Sequence, residues 1–267
     1  MPPYKKILFP LDYSLPCEAV LPYVREMAQR PGAELIILQC LPLSVYASAG
    51  AGDPKTDASR LATHCEMALA GIDAHRLIAD GEPAAAIAEI AKANGIDLVM
   101  MPTHGDGPIR QILNGSVTAQ VLLNSSCPVW TAVHDHLVPN VTEPRYRSVV
   151  CAIAGHAEED EHVARTAARF AAGRGARLTL VSVVDKPEEA AIANAQDSIE
   201  QCKASWKLDA GMRIAIGSVP KALHDAALQE EADLLVVGRG HFHGRLGRLR
   251  SHLYDVIRQA PCPVISV

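Results

Sequence analysis

Asp97-Leu98-Val99-Met100-Met101 recurs as Asp233-Leu234-Leu235-Val236-Val237, an offset of 136 in a chain of 267 residues. Downstream, Ser126-Cys127-Pro128-Val129 returns as Pro261-Cys262-Pro263-Val264, offset by 135, and a one-residue deletion in the intervening loop reconciles the two. Upstream, Gly81-Glu82-Pro83-Ala84-Ala85-Ala86-Ile87 answers Gly217-Ser218-Val219-Pro220-Lys221-Ala222-Leu223, and Lys6-Ile7-Leu8-Phe9-Pro10 answers Ser148-Val149-Val150-Cys151-Ala152. Four landmarks in one order identify a tandem duplication, which sets the domain plan before any local reading. The copies are placed at 1–137 and 146–267, with a linker at 138–145 inside the stretch His134–Arg145, which holds two prolines and no helical period.

Within the first copy, apolar runs of strand length alternate with longer segments of helical period. Strands are expected at Ile7–Pro10, Leu35–Cys40, His75–Ile78, Leu98–Met101 and Val129–Val133, with helices at Ala19–Arg30, Ser59–Gly71, Pro83–Asn94 and Gly115–Leu123. The second copy repeats the order, with strands near Val149–Ile153, Leu178–Val183, Arg213–Ala215, Leu234–Val237 and Val264–Val267. Such βα alternation predicts two tandem doubly wound α/β domains, Rossmann-like or flavodoxin-like, each a five-stranded, mostly parallel sheet with helices on both faces. The stretch Ser44–Thr56, rich in Ala, Gly and Ser, reads as a mobile loop after the second strand.

Composition narrows the class. Hydrophobic residues make up 49% and aromatics only 4%, so the cores must be aliphatic. A net charge of −5 with scattered Lys and Arg argues against nucleic-acid binding. No apolar run approaches the roughly 20 residues needed to span a bilayer, and Lys5-Lys6 leads into a strand rather than a signal peptide. A cytoplasmic protein is expected. Its seven cysteines form no CxxC pair and read mainly as small buried hydrophobes.

In open parallel sheets, ligands bind beyond the carboxyl ends of the strands where the strand order reverses. That rule selects Pro10-Leu11-Asp12-Tyr13-Ser14 after the first strand, Cys40-Leu41-Pro42 after the second, and Met101-Pro102-Thr103-His104-Gly105-Asp106-Gly107 after the fourth. Nine residues beyond Gly105 comes Gly115-Ser116-Val117, which opens a helix. A helix amino terminus presents unpaired N–H groups and partial positive charge, and glycine lets a phosphate approach the backbone. Spacing alone leaves a second reading open, in which the glycines make turns and Ser116 only caps a helix.

These residues resemble the universal stress protein family. His104-Gly105, the nine-residue gap and Gly115-Ser116-Val117 look like its phosphate-binding pattern G-x2-G-x9-G-[S/T], and with the closing Cys-Pro-Val strand the resemblance to the family covers nearly all of both halves. The resemblance implies an adenine nucleotide (ATP, ADP or AMP), with or without magnesium, as ligand of a stress-response module. It implies that Asp12, reached through Pro10 and Leu11, contacts the adenosine, and that backbone near Cys40 contacts adenine. Met101 matches an apolar residue beside the nucleotide, and Gly105, Gly115, Ser116 and Val117 match the phosphate-binding positions. The family's first glycine falls on Pro102, which has no N–H to donate, leaving the amides of Thr103, His104 and Gly105 to serve.

The second copy departs further. Ala154 stands in the place of Asp12 and Arg250 in the place of Gly115, while Ser251 keeps a hydroxyl. A worn-out site is expected there, against the alternative of a cationic pocket built from Arg239, Arg245, Arg248 and Arg250. His241, His243 and His252 could ligate zinc, but no Cys or carboxylate accompanies them at a diagnostic spacing. Two functions other than nucleotide-dependent regulation stay open: slow ATP hydrolysis around Asp12 or His104, and a nucleotide-free scaffold for an unknown protein partner. The closing strands Val129–Val133 and Val264–Val267 are expected to pair within the chain as a fused pseudo-dimer, with further homodimerisation open.

Overall fold

Runs of Val, Leu, Ile and Met form strands buried on both faces, and the longer amphipathic segments between them form the covering helices. A computed structural model of the chain describes residues 4–41, 63, 65–103, 117–133, 143–239 and 248–267. The chain divides into two compact units, Met1–Pro144 and Arg145–Val267.

The first unit runs β1 (Lys6–Pro10), α1 (Leu15–Ala28), β2 (Glu34–Leu41), β3 (Ala74–Asp80), α2 (Pro83–Ala93), β4 (Leu98–Thr103), α3 (Val117–Asn124) and β5 (Val129–Val133). Residues 65–68, between β2 and β3, are also helical. Its strands lie in the order β3-β2-β1-β4-β5, every neighbouring pair parallel. The second unit runs β6 (Ser148–Ile153), α4 (Ala157–Ala172), β7 (Arg177–Val184), α5 (Glu189–Trp206), β8 (Gly211–Ile216), α6 (Val219–Gln229), β9 (Leu234–Val237), α7 (Arg248–Gln259) and β10 (Val264–Ser266). Its order, β10-β9-β6-β7-β8, repeats the first, again with parallel pairs. Both units are thus doubly wound α/β domains. In each, the chain winds outward from the first strand and then returns to its other side, so the order reverses between β1 and β4 and between β6 and β9.

Burial follows this topology. All six residues of β4 and all four of β9 are buried. The edge strand β3 alternates toward solvent, with Ile78 72% exposed. Among the described aromatics Trp130, Phe9 and Phe170 are fully buried, and Tyr23 packs on Trp130 with ring centres 5.3 Å apart, whereas Trp206 is exposed. Among the described residues no helix is long and apolar enough to cross a membrane.

The acid that opens the repeated pentapeptide has a structural task in both copies. Asp97 accepts from the amides of Lys5 and Lys6 at 2.8 and 3.0 Å, and Asp233 from those of Arg147 and Ser148 at 2.6 and 3.0 Å. Each carboxylate therefore latches the fourth strand's entrance to the start of the copy's first strand. Helix α1 begins at Leu15, earlier than the apolar period starting at Ala19 suggests, because Ser14 caps it by accepting from Cys17 N at 3.4 Å and Pro16 suits its first turn. The stretch Ser44–Thr56 lies outside the described residues, as does the linker up to residue 142.

The cysteines are free thiols, all buried except the half-buried Cys40. Burial pushes Cys17 and Cys262 up to about 12 and Cys65 and Cys202 up to about 11, so these thiols are poor nucleophiles near neutrality.

Candidate functional site

Strands β2, β1 and β4 are parallel neighbours, so their carboxyl ends share one edge of the first sheet. Pro10 stands opposite Leu38, and Leu11 N donates to Leu38 O at 2.8 Å, which holds the chain beside β2 past the end of β1. Cys40 lies two residues beyond Leu38 and so overhangs that end. On the other side, pairing between β1 and β4 stops at Leu8 and Val99. Met101, Pro102 and Thr103 continue beside β5 only, opposite Thr131, Ala132 and Val133. The two central strands part at the point of order reversal, and Pro10, Leu11 and Asp12, Cys40 and Met101–Thr103 all lie at that carboxyl-terminal edge, where doubly wound sheets bind ligands. This parting also lets a proline sit in a central strand, since Pro102 lies beyond the last rung that β1 requires.

Helix α3 is tied to the same edge. Thr118 Oγ1 donates to Pro102 O at 3.2 Å, which sets Val117 and the first turn of α3 against the end of β4. His104, Gly105, Gly115 and Ser116 lie outside the described residues.

The β1–α1 turn is organised by Asp12. The residue is exposed, and its Oδ1 accepts from Ser14 N at 2.9 Å. Desolvation pushes the carboxyl up, but hydrogen bonds from the Ser14 and Cys17 side chains and the Ser14 amide outweigh it and hold the group below its ordinary value. An ionised carboxylate therefore stands at the carboxyl-terminal edge at neutral pH. Between Asp12 and Ser14, Tyr13 has φ +56°, a left-handed conformation costly for a residue with a Cβ. Its counterpart in the second copy is Gly155, at φ +86°. The position demands positive φ in both copies, and only the second meets the demand with glycine. Cys40 carries a thiol pushed up by burial, with the Glu82 carboxylate adding to the shift. Glu82 itself caps α2, accepting from Ala85 N at 3.0 Å.

In the second copy the same turn is closed on itself. The amides of Ala154, Gly155 and His156 all donate to the Asp160 carboxylate, at 2.7, 2.7 and 2.8 Å. Asp160 is 3% exposed, and burial pushes its carboxyl above the ordinary value despite these donors. Gly238 follows β9 where Pro102 falls in the first copy, but it is backed by acid: a Cβ there would lie 2.6 Å from Glu159 Oε1. Arg239 donates through Nε to Ser266 Oγ at 3.2 Å and through its amide to Val267 O at 3.0 Å. Of the other residues singled out, Arg245, His241 and His243 lie outside the described residues, and Arg248, Arg250 and His252 belong to α7 without described side chains. Among the described residues no group of three or more His, Cys, Asp or Glu is placed to hold a metal ion.

Tyr13, Thr118 and Asp160 did not stand out in the sequence. Tyr13 is legible once Asp12-Tyr13 is aligned with Ala154-Gly155, and Asp160 lies within the acidic run Glu158-Glu159-Asp160-Glu161 that opens α4. Thr118 follows the Gly-Ser-Val motif with no local pattern marking its partner.

Comparison with known proteins agrees with this plan. The model of the Universal stress protein family matches residues 3–132 and again 145–267. Universal stress protein Slr1230 of Synechocystis sp. is 32% identical over 127 residues, 47% of this chain and 42% of the relative, so the match spans less than half of that protein. Universal stress protein MJ0577 of Methanocaldococcus jannaschii is 27% identical over 150 residues, 47% of this chain and 93% of its own. A universal stress protein structure from Archaeoglobus fulgidus superposes with a TM-score of 0.71 over 99% of this chain and 96% of that one, at 20% identity, a likeness of fold.

Proposed function

The chain belongs to the universal stress protein family, and from that premise we propose that its first copy binds an adenine nucleotide, making the protein a nucleotide-dependent regulatory or protective module in stress response. The observation that carries this reading is the parting of β1 and β4 at the point of order reversal, with Asp12, Cys40 and Met101 at the carboxyl-terminal ends of β1, β2 and β4. A carboxylate kept ionised with one oxygen bound to Ser14 N has remaining lone pairs for two ribose hydroxyls. The backbone at Cys40 flanks the place for the base, the buried Met101 supplies an apolar wall, and the onset of α3 offers donors to phosphate. The motif residues Gly105, Gly115 and Ser116 would complete the phosphate end, and magnesium would accompany a triphosphate.

One feature favours a second reading, a nucleotide-free interaction module: Pro102 withdraws one of the amides that the family's pattern uses. The two separate by mass spectrometry of the supernatant from denatured, purified protein and by calorimetry with ATP or AMP in the presence of magnesium. Copurified nucleotide or saturable heat is expected, with Asp12→Ala weakening binding at least about tenfold. Neither nucleotide nor heat would leave the interaction module as the function.

A further inference from the structure

Strand β3 stands at the outer end of the first unit's strand order, and among the described strands it pairs with β2 alone. All seven of its residues run in unbroken parallel register with β2, from Ala74 opposite Leu35 to Asp80 opposite Leu41. An edge strand presents backbone N–H and C=O groups on its outer side, and proteins usually blunt such an edge with a bulge, a proline or a short strand. Strand β3 has no bulge against β2 and no proline, and it is longer than the mean strand of about 5–6 residues.

One face of this edge is patterned about a centre. Successive strand residues point to opposite faces, so Arg76, Ile78 and Asp80 share a face. Ile78 is 72% exposed, and the charged residues on either side of it are exposed as well. Four residues of strand separate the two charges by roughly 13 Å, too far for them to pair with each other. In an antiparallel pair of β3 strands centred on Ile78, that residue meets its own copy and Arg76 of each chain meets Asp80 of the other. Cross-strand neighbours lie about 4.5–5.5 Å apart at Cβ, where apolar and opposite-charge pairs both contribute. On the other face the same register sets Leu77 against Ala79. The existing ion pair of Arg76, Nη1 to Glu66 Oε1 at 3.2 Å, is compatible with this arrangement. Both its side chains are more than half exposed, which makes it weak, and the guanidinium has further donors on Nε and Nη2.

The duplicated strand shows that the fold does not demand these charges. By the offset of 136 that relates Gly81 to Gly217, Arg76, Ile78 and Asp80 correspond to Met212, Ile214 and Ile216 of β8. The second copy keeps the apolar centre and has neither charge.

We propose that β3 is a self-pairing edge through which two copies of the chain form a dimer, antiparallel about a two-fold axis at Ile78. A second copy is the occupant because the strand is complementary to its own reverse: each charge meets its opposite, and Ile78 loses exposed surface against itself. A contact of this length is small beside the roughly 1,200–2,000 Å² of a standard interface, so the dimer is reversible. The proposal does not rest on nucleotide binding by the first copy.

The test is sedimentation velocity of the full chain over about a hundredfold range of concentration, under reducing conditions because its described cysteines are free thiols. Far-UV circular dichroism and melting of each variant report on folding. The wild type is expected to pass reversibly from monomer to dimer. Ile78→Lys sets two ammonium groups at the axis and should weaken the dimer at least about tenfold. Arg76→Asp and Asp80→Arg should each weaken it by a similar factor, since each places like charges at both flanks. The double variant Arg76→Asp/Asp80→Arg should recover wild-type dimerisation to within about threefold. Recovery would not come from the Glu66 ion pair, which stays broken in that variant. A chain that is monomeric throughout, a dimer indifferent to Ile78→Lys, or a charge exchange that leaves the dimer as weak as the single reversals would each overturn the proposal.

Discussion

Tyr13 and Gly155 occupy one backbone position in two copies, and the pair isolates the cost of a Cβ at positive φ. Gly155→Ala is expected to destabilise by about 1–2 kcal/mol in urea unfolding. Crowding would not be the cause, since the nearest atom to the new Cβ would be Ser198 Oγ at 3.9 Å. Tyr13→Gly should stay within about 1 kcal/mol of wild type, because relief of the left-handed strain is offset by greater freedom of the unfolded chain. Pro102 offers the complementary test on ligand binding. Pro102→Gly restores an N–H at the end of β4, as Gly238 has in the second copy, and should raise adenine nucleotide affinity about fivefold to tenfold by calorimetry if that amide meets phosphate.

The latch between the first and fourth strands of each copy belongs to the scale of elements. Asp97→Ala leaves the amides of Lys5 and Lys6 without the acceptor they use and is expected to cost about 1–3 kcal/mol in chemical unfolding. Asp233→Ala should cost a similar amount through Arg147 and Ser148. Element positions were largely legible in the sequence. The strand expected at Val129–Val133 has those bounds, and the one at Leu98–Met101 extends to Thr103, because central strands buried on both faces write continuous apolar runs. Edge strand β3 runs Ala74–Asp80, longer than the His75–Ile78 expected, since its outward residues break the apolar run that marks a strand. The start of α1 depended on capping by Ser14 rather than on hydrophobic period, which is why periodicity placed it late.

At the scale of the whole molecule, duplication has produced one topology with two different strand-end turns. Calorimetry is therefore expected to give one nucleotide per chain, not two, since Asp160 fills the anion-receptive amides of the second copy; a stoichiometry of two would overturn that assignment. Acid sensitivity has a source remote from both turns. Burial alone would raise the Glu230 carboxyl, but hydrogen bonds from Arg213 and Thr179 and the charges of Arg213 and Arg177 hold it below its ordinary 4.5. A carboxyl depressed in the folded state adds stability above its unfolded value and loses it as pH falls through the folded one. Glu230→Gln should therefore be less stable than wild type near neutrality, and its stability should fall less between about pH 5 and pH 3. The duplication and the βα alternation could be read from the linear chain, because repeat spacing and hydrophobic period are properties of residues close in sequence. Closure of the second turn by Asp160 and the crowding of Gly238 by Glu159 emerged with the fold. Hydrogen-bond partners and close approaches depend on distances between elements that only packing brings together.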